Sequence, residues 1–111
     1  MISFTIENMI HNYNGYVVVD KTYSIYGEEY DRLPLDVHWG LTFGCSLEEC
    51  KKDFPHIYEK YLSIDWTSEE DDVWIYWFDT VHYGDEPYER DKVRVSVEIH
   101  NLIEQIEKYK I

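Results

Sequence analysis

Apolar residues recur along this chain with two periods, and these periods separate predicted strands from predicted helices. Residues 15–20 form a short β-branched run, and residues 35–43 alternate between apolar and polar positions. Residues 73–81 contain the most apolar and aromatic run of the sequence. All three segments are predicted strands. Both alternating sets are apolar in residues 73–78, which predicts a strand that is central in a sheet or buried in an oligomer interface.

Helical signals occupy the middle and the end of the chain. Ser46-Leu47-Glu48-Glu49 has the pattern of a capping box, and Pro55 is expected to kink or divide the helix that follows. The last segment alternates locally, but a helical stripe covers all of it, so we predict one helix from about residue 92 with Asp91 as N-cap. The residues of this stripe are Val95, Ile99, Leu102, Ile106 and Tyr109.

The remaining segments give weaker signals. Residues 2–13 begin with alternating apolar positions and continue with helical spacing, and we favour a helix or a mixed segment over a strand. Asn14-Gly15 predicts a turn. The tyrosine-rich residues 20–34 are expected to fold over the core or to line a pocket. Residues 63–72 end in four acids without the spacing of a calcium loop, which indicates a solvated loop.

These elements predict a single α+β domain over residues 1–111. A small, mostly antiparallel sheet would carry a middle helix and a C-terminal helix packed on it. Aromatic residues make up 17% of the chain, with eleven Tyr and four Trp. Because Tyr and Trp combine apolar area with a polar tip, this content suits a core, a stacking surface or a subunit interface. We therefore also predict a homo-oligomer.

Charge excludes several partners. The net charge is −13, from 23 acidic and 10 basic residues, which argues against direct binding to nucleic acid or to anionic membranes. No apolar run approaches membrane-spanning length and the N-terminus lacks signal-peptide features, so the expected location is the cytoplasm. Cys45 and Cys50 lack the C-x-x-C spacing of zinc and redox sites. They are expected to be reduced thiols that point to different faces.

Histidine and aspartate side chains supply the candidate chemistry. The predicted ligand-binding residues are His38, Trp39, Asp79, His82, Tyr83, Asp85, Arg90 and Arg94. His38 would lie on the face of its strand away from the core, beside Gly40. Histidine and carboxylate can hydrogen-bond a polar ligand, relay a proton or hold a metal, whereas aromatic rings can stack on a base. Arginine, or a helix N-terminus, would be needed for a phosphate.

Two other interpretations of these residues stay open. The aspartates and histidines can simply cap turns and bond to main chain, or they can form a catalytic metal site. The metal interpretation is weakened because the spacing matches no zinc signature. No phosphate loop, nucleophile elbow or spaced Cys-His pair is present, so an ordinary hydrolase or kinase is not expected, and no cofactor is predicted.

The ordered set of motifs resembles a group of small uncharacterised proteins encoded by phages and prophages. The matching pieces are Gly15-Tyr16-Val17, Tyr26-Gly27, Tyr30-Asp31, Asp36-Val37-His38, Gly40-Leu41-Thr42, Trp77-Phe78-Asp79, His82-Tyr83-Gly84-Asp85 and Leu102-Ile103-Glu104-Gln105-Ile106. The resemblance spans residues 15–106 and leaves residues 44–72 unmatched. Trp39 and Tyr76 stand where the group has glycine, which adds bulk beside the candidate site. The resemblance implies a single C-terminal helix and an accessory or counter-defence role.

These expectations combine into a primary function and two alternatives. The primary one is a phage accessory protein, in the cytoplasm of an infected bacterium, that sequesters a small polar nucleotide-type signal. An enzyme is the less favoured interpretation. The first alternative is an acidic DNA mimic that inhibits a basic host nuclease or defence protein. The second is a metal-dependent hydrolase built on the His/Asp cluster.

Overall fold

The fold is α+β, as predicted, with helices on both faces of an antiparallel sheet. The structure, a computed structural model, describes residues 1–9, 11–38, 40–64, 73–80 and 91–111. Within them the strands are β1 (Ser3–Glu7), β2 (Tyr13–Asp20), β3 (Phe43–Ser46) and β4 (Val73–Phe78), and the helices are α1 (Leu47–Asp53), α2 (Pro55–Ile64) and α3 (Lys92–Glu107). The sheet order is β1-β2-β4-β3, with every neighbouring pair antiparallel.

Strand β4 is an inner strand with both faces buried. Tyr76 and Phe78 pack with β2 and α3 on one face of the sheet. Ile75 and Trp77 pack with α1 and α2 on the other face. The doubly apolar pattern of this segment therefore reflects two separate cores rather than a buried face and a solvated face.

Local signals set the helix boundaries correctly. The Ser46 hydroxyl accepts a hydrogen bond from the backbone N–H of Glu49 at 3.2 Å, and the Asp91 carboxylate accepts one from that of Arg94 at 2.8 Å. Each bond satisfies a backbone donor that the first helical turn leaves without a partner. Pro55 begins α2, so it divides the middle helix as expected.

The N-terminal expectation was wrong. Residues 3–7 form a strand, and Asn14 and Gly15 lie inside β2, paired with Ile6 and Thr5. The reversal lies instead between the end of β1 at Glu7 and the start of β2 at Tyr13, and His11 there has a positive φ of 61°. Gly15 serves close packing, because the ring of its cross-strand partner Phe78 occupies the space that a side chain there would need.

The predicted strand over residues 35–43 was also wrong, since only its last residue is part of β3. Its alternation still describes burial, because Val37 is buried and Asp36 and His38 are exposed. The amide of Gln105 on α3 donates to the carbonyl of Asp36 and accepts from its N–H, both at 2.7 Å. The extended backbone thus satisfies its hydrogen bonds with helix side chains, and pairing with a neighbouring strand is not required.

The tyrosine-rich loop folds over the core, as one of the two expected arrangements. Tyr23 and Ile25 are buried in the same cluster as α3. The Tyr76 hydroxyl lies 2.8 Å from the carbonyl oxygen of Ile25 and 2.7 Å from that of Glu28, so one proton is shared between two acceptors. A short 3-10 helix, Tyr30–Arg32, follows and lies against β3. In the described chain, no helix is both long and apolar enough to cross a membrane.

Candidate functional site

Two of the predicted site residues converge on one buried carboxylate. Glu98 of α3 is only 8% exposed. One of its oxygens lies 2.7 Å from the Arg94 guanidinium, and the other accepts a hydrogen bond from the backbone N–H of His38 at 3.3 Å. A buried charge is tolerated when it is paired and hydrogen-bonded, and Glu98 meets both conditions.

The local sequence explains half of this arrangement. Arg94 and Glu98 are four residues apart on a helix, so their side chains lie on the same face. His38 reaches them because residues 35–38 run along α3, with Asp36 held by Gln105 and His38 held by Glu98. The imidazole of His38 is on the exposed side of this segment, which agrees with the predicted orientation although the strand is absent.

Asp79 is held just beyond the end of β4. The Thr42 hydroxyl lies 3.2 Å from the Asp79 carboxylate and 2.9 Å from the Asp79 backbone nitrogen. The next residue, Thr80, is fully buried, and its hydroxyl donates to the carbonyl of Tyr13 at 2.8 Å. The chain leaving β4 is therefore anchored to β2 on one side and to the segment before β3 on the other.

The residues His38, Asp79 and Arg94 lie toward the same end of the sheet. Ile99, near the middle of α3, lies beside Gly15 and Phe78, and Glu107 at its C-terminus accepts a hydrogen bond from Tyr23 at 2.9 Å. Helix α3 therefore begins at the end of the sheet where β4 finishes. His38, Asp79 and Arg94 are brought to this end, whereas the other five predicted site residues lie outside the described part of the chain: Trp39, His82, Tyr83, Asp85 and Arg90.

Glu98 and Thr42 were not identified from the sequence. The spacing of Arg94 and Glu98 was a usable signal for an ion pair, but it could not show that the pair would be buried. Among the described residues, no three His, Cys, Asp or Glu side chains lie together in a way that could hold a metal ion. A metal-dependent activity would therefore depend on residues outside that part of the chain.

The two cysteines lie together, contrary to expectation. Cys45 on β3 and Cys50 on α1 are both fully buried free thiols, with their sulfur atoms 2.8 Å apart. The chain turns from strand to helix at Ser46, and the first helical turn returns Cys50 to Cys45. The hydrogen bond with Cys50, and then burial, raise the pKa of the Cys45 thiol. A thiol that keeps its proton and is closed to solvent is a poor nucleophile.

The Arg94–Glu98 pair is expected to contribute measurably to stability. Replacing Glu98 with glutamine keeps an acceptor for the backbone N–H of His38 but removes the negative charge that faces Arg94. We expect Glu98→Gln to lower the free energy of unfolding by about 2 kcal/mol. The matched control is Glu104→Gln, which removes the exposed pair of Glu104 with His100 and should cost less than about 0.5 kcal/mol. Equal losses in urea titrations of the two variants would contradict a special role for Glu98.

Comparison with known proteins adds no further assignment. The phage-protein resemblance therefore stays a prediction made from the motifs themselves. A scan against protein-family models and searches of curated proteins and solved structures found no match to this chain.

Proposed function

We propose that the protein captures a small polar molecule of the nucleotide type, without chemical change, at the end of the sheet where β4 finishes and α3 begins. The observation that carries the proposal is the convergence of His38 and Arg94 on Glu98. Glu98 thereby holds the side chain of Arg94 and the backbone of His38, two residues chosen from sequence as ligand-binding residues. Such preorganisation lowers the entropic cost of binding.

The described groups match the chemistry of such a ligand. The Arg94 side chain is 35% exposed while Glu98 holds it in place, which suits hydrogen bonding to a phosphate oxygen. Asp79 is half-buried and oriented by Thr42, and its carboxylate can accept hydrogen bonds from sugar hydroxyls or base amino groups. Stacking of a base on Trp39 or Tyr83 remains a prediction.

The biological setting is part of the proposal and follows from the resemblance to phage-encoded proteins. A phage accessory protein that holds a host signalling nucleotide would lower its free concentration and blunt the host response. Capture alone suffices for this role, so it requires no catalytic group.

The test is a thermal-shift screen with a panel of mononucleotides, dinucleotides and cyclic oligonucleotides, followed by mass spectrometry of the molecule released on denaturation. A ligand present at 100 times its Kd should stabilise the fold by about 2.7 kcal/mol. We expect Arg94→Gln to weaken binding by at least about tenfold. The control is Lys108→Gln, which also removes one positive charge but lies at the C-terminal end of α3, away from the proposed site. It should leave the affinity unchanged.

Three outcomes would count against the proposal. The first is that no member of the panel raises the melting temperature. The second is that Arg94→Gln and Lys108→Gln have equal effects on binding. The third is that the nucleotide is released in altered form, which would indicate an enzyme.

The acidic-mimic alternative receives no specific support from the described surface. Glu28, Glu29 and Asp31 are exposed, but Arg32 is exposed directly beside them. The Arg32 guanidinium therefore interrupts this run of negative charge. Of the other acids on which this alternative depends, Asp91 is exposed, and those at 69–72 and at 85, 86 and 89 lie outside the described residues.

A further inference from the structure

Strand β1 is an edge strand whose outer side is not paired with any strand of the described chain. Its sequence, Ser-Phe-Thr-Ile-Glu, contains no proline and no lysine and has a single charge at its end. Proteins usually protect such an edge with proline, lysine or a bulge, because exposed backbone groups template pairing with another strand. The β1 edge lacks these protections.

The register shows which backbone groups point outward. The N–H of Val18 donates to the carbonyl of Ile2 at 2.9 Å, so the hydrogen-bonded pairs with β2 fall at residues 2, 4 and 6 of the first strand. Alternation in an antiparallel ladder then directs the N–H and C=O groups of Ser3, Thr5 and Glu7 away from β2. These groups form the unpaired edge.

The edge is complementary to a second copy of itself. An antiparallel pairing centred on Thr5 places Thr5 opposite Thr5, Ser3 opposite Glu7 and Phe4 opposite Ile6 of the other copy. Phe4 faces the α1–α2 layer, so the apolar pairs of Phe4 with Ile6 lie on that face of the sheet. The pairs that contain Ser3 or Thr5 lie on the opposite face. No like charges are opposed, which favours this register.

The surroundings of the edge are close to neutral in a chain of charge −13. A groove of about 480 Å³ crosses the edge near Thr5 and contains two lysines and two glutamates, Lys60, Lys92, Glu7 and Glu59. A second groove, of about 320 Å³, lies between the start of β1 and α3. Two strongly acidic chains can therefore meet here with little repulsion, whereas a strongly charged partner would gain nothing from this edge.

We propose that the protein forms a twofold-symmetric dimer by antiparallel pairing of β1 with β1 of a second copy, which makes one continuous eight-stranded sheet. The pairing brings the two α3 helices together on one face. The α3 residues that line the groove beside β1, Ser96, His100 and Ile103, would lose exposure there. Strand β1 contributes no residue to the proposed ligand site, so the dimer and the ligand proposal can be tested separately.

The test is analytical ultracentrifugation over about 1–100 µM, the range in which modest interfaces dissociate. We expect twice the chain mass of 13.5 kDa. Thr5→Pro removes only an outward-pointing N–H, which edge strands tolerate, and should raise the dimer Kd about 100-fold because it removes two symmetry-related hydrogen bonds. The control, Thr5→Val, keeps the backbone donors and should remain dimeric.

A pair of charge variants tests the register even if Thr5→Pro fails to fold. Ser3→Glu places a carboxylate opposite Glu7 twice in the dimer and should weaken it about tenfold, whereas Ser3→Lys should strengthen it. A wild-type protein that stays monomeric at 100 µM would overturn the proposal. This outcome would also be expected if the edge pairs with an extended peptide of another protein and not with a second copy. It would also be overturned by a dimer with the same affinity in Thr5→Pro, or by equal effects of the two Ser3 variants.

Discussion

Replacing Gly15 with alanine is expected to lower the free energy of unfolding by about 3 kcal/mol, a large loss for one methyl group. A Cβ at this position would lie 2.4 Å from Cζ of Phe78 and 2.9 Å from Cγ1 of Ile99. Phe78 is fully buried, so its ring has no open space into which it can move. At an open strand position, replacing glycine with alanine would raise the free energy of unfolding by about 0.5–1 kcal/mol. A decrease would therefore indicate that the clash dominates, and an increase that the position is open.

A double-mutant cycle separates this clash from a general effect of alanine. Phe78→Leu removes the outer ring atoms that a Cβ at residue 15 would meet. We expect the Gly15→Ala, Phe78→Leu variant to be more stable than the sum of the single losses predicts, by at least about 1 kcal/mol. Urea titrations of the four proteins measure this coupling. Additive losses, or a more stable Gly15→Ala single variant, would show that the ring does not determine the identity of residue 15.

We expect the free energy of unfolding to decrease in alkaline solution, because buried groups of the folded protein keep protons that the unfolded chain releases. The hydrogen bond with Cys50 and burial raise the pKa of Cys45 above its ordinary 9.0. Burial, followed by the negative charge of Glu28, raises the pKa of Tyr76 above its ordinary 10.0. Above these ordinary values the unfolded chain releases protons that the folded chain still holds, so the stabilisation is complete below pH 9–10 and is lost as the pH rises.

Each such group should contribute a slope of about 1.4 kcal/mol per pH unit above its unfolded pKa. Cys45 and Tyr76 together should then remove about 4 kcal/mol by pH 11, a large fraction of the stability of a small domain. Urea titrations at half-unit intervals from pH 7 to 11 measure the slope. Cys45→Ala should abolish the part that begins near pH 9. Tyr76→Phe should reduce the part that begins near pH 10, to which Tyr16 and Tyr23 also contribute because burial raises the pKa of each. A free energy of unfolding that stays constant to pH 10.5 would contradict this account.

Much of the fold could be predicted because it depends on local chemistry. The Ser46 and Asp91 caps, the division of the middle helix at Pro55 and the stripe of α3 all act within one or two helical turns. The double burial of β4 was also readable, since both of its alternating sets are apolar. The strand at residues 3–7 was within reach, but five residues of alternation were outweighed by the helical spacing that follows.

The candidate site could be predicted only in part. His38 and Arg94 were selected for their chemistry, and the structure brings both to Glu98. Glu98 itself looked like one more solvent-facing acid, because its burial depends on where residues 35–38 cross α3. That crossing is set by contacts between residues about sixty positions apart, such as His38 with Glu98, and no local pattern encodes them.

By itself the sequence determined the middle and C-terminal helices and where they begin, that β4 is an inner strand and that the chain is strongly acidic. These properties arise from neighbours in the chain. Only the tertiary structure decided that Gly15 makes room for a ring, that Cys45 and Cys50 touch, and that residues 35–38 pair with helix side chains in place of a strand. Each of these depends on which distant residue occupies the adjoining space, and that is known only when the sheet and its two helical layers are assembled.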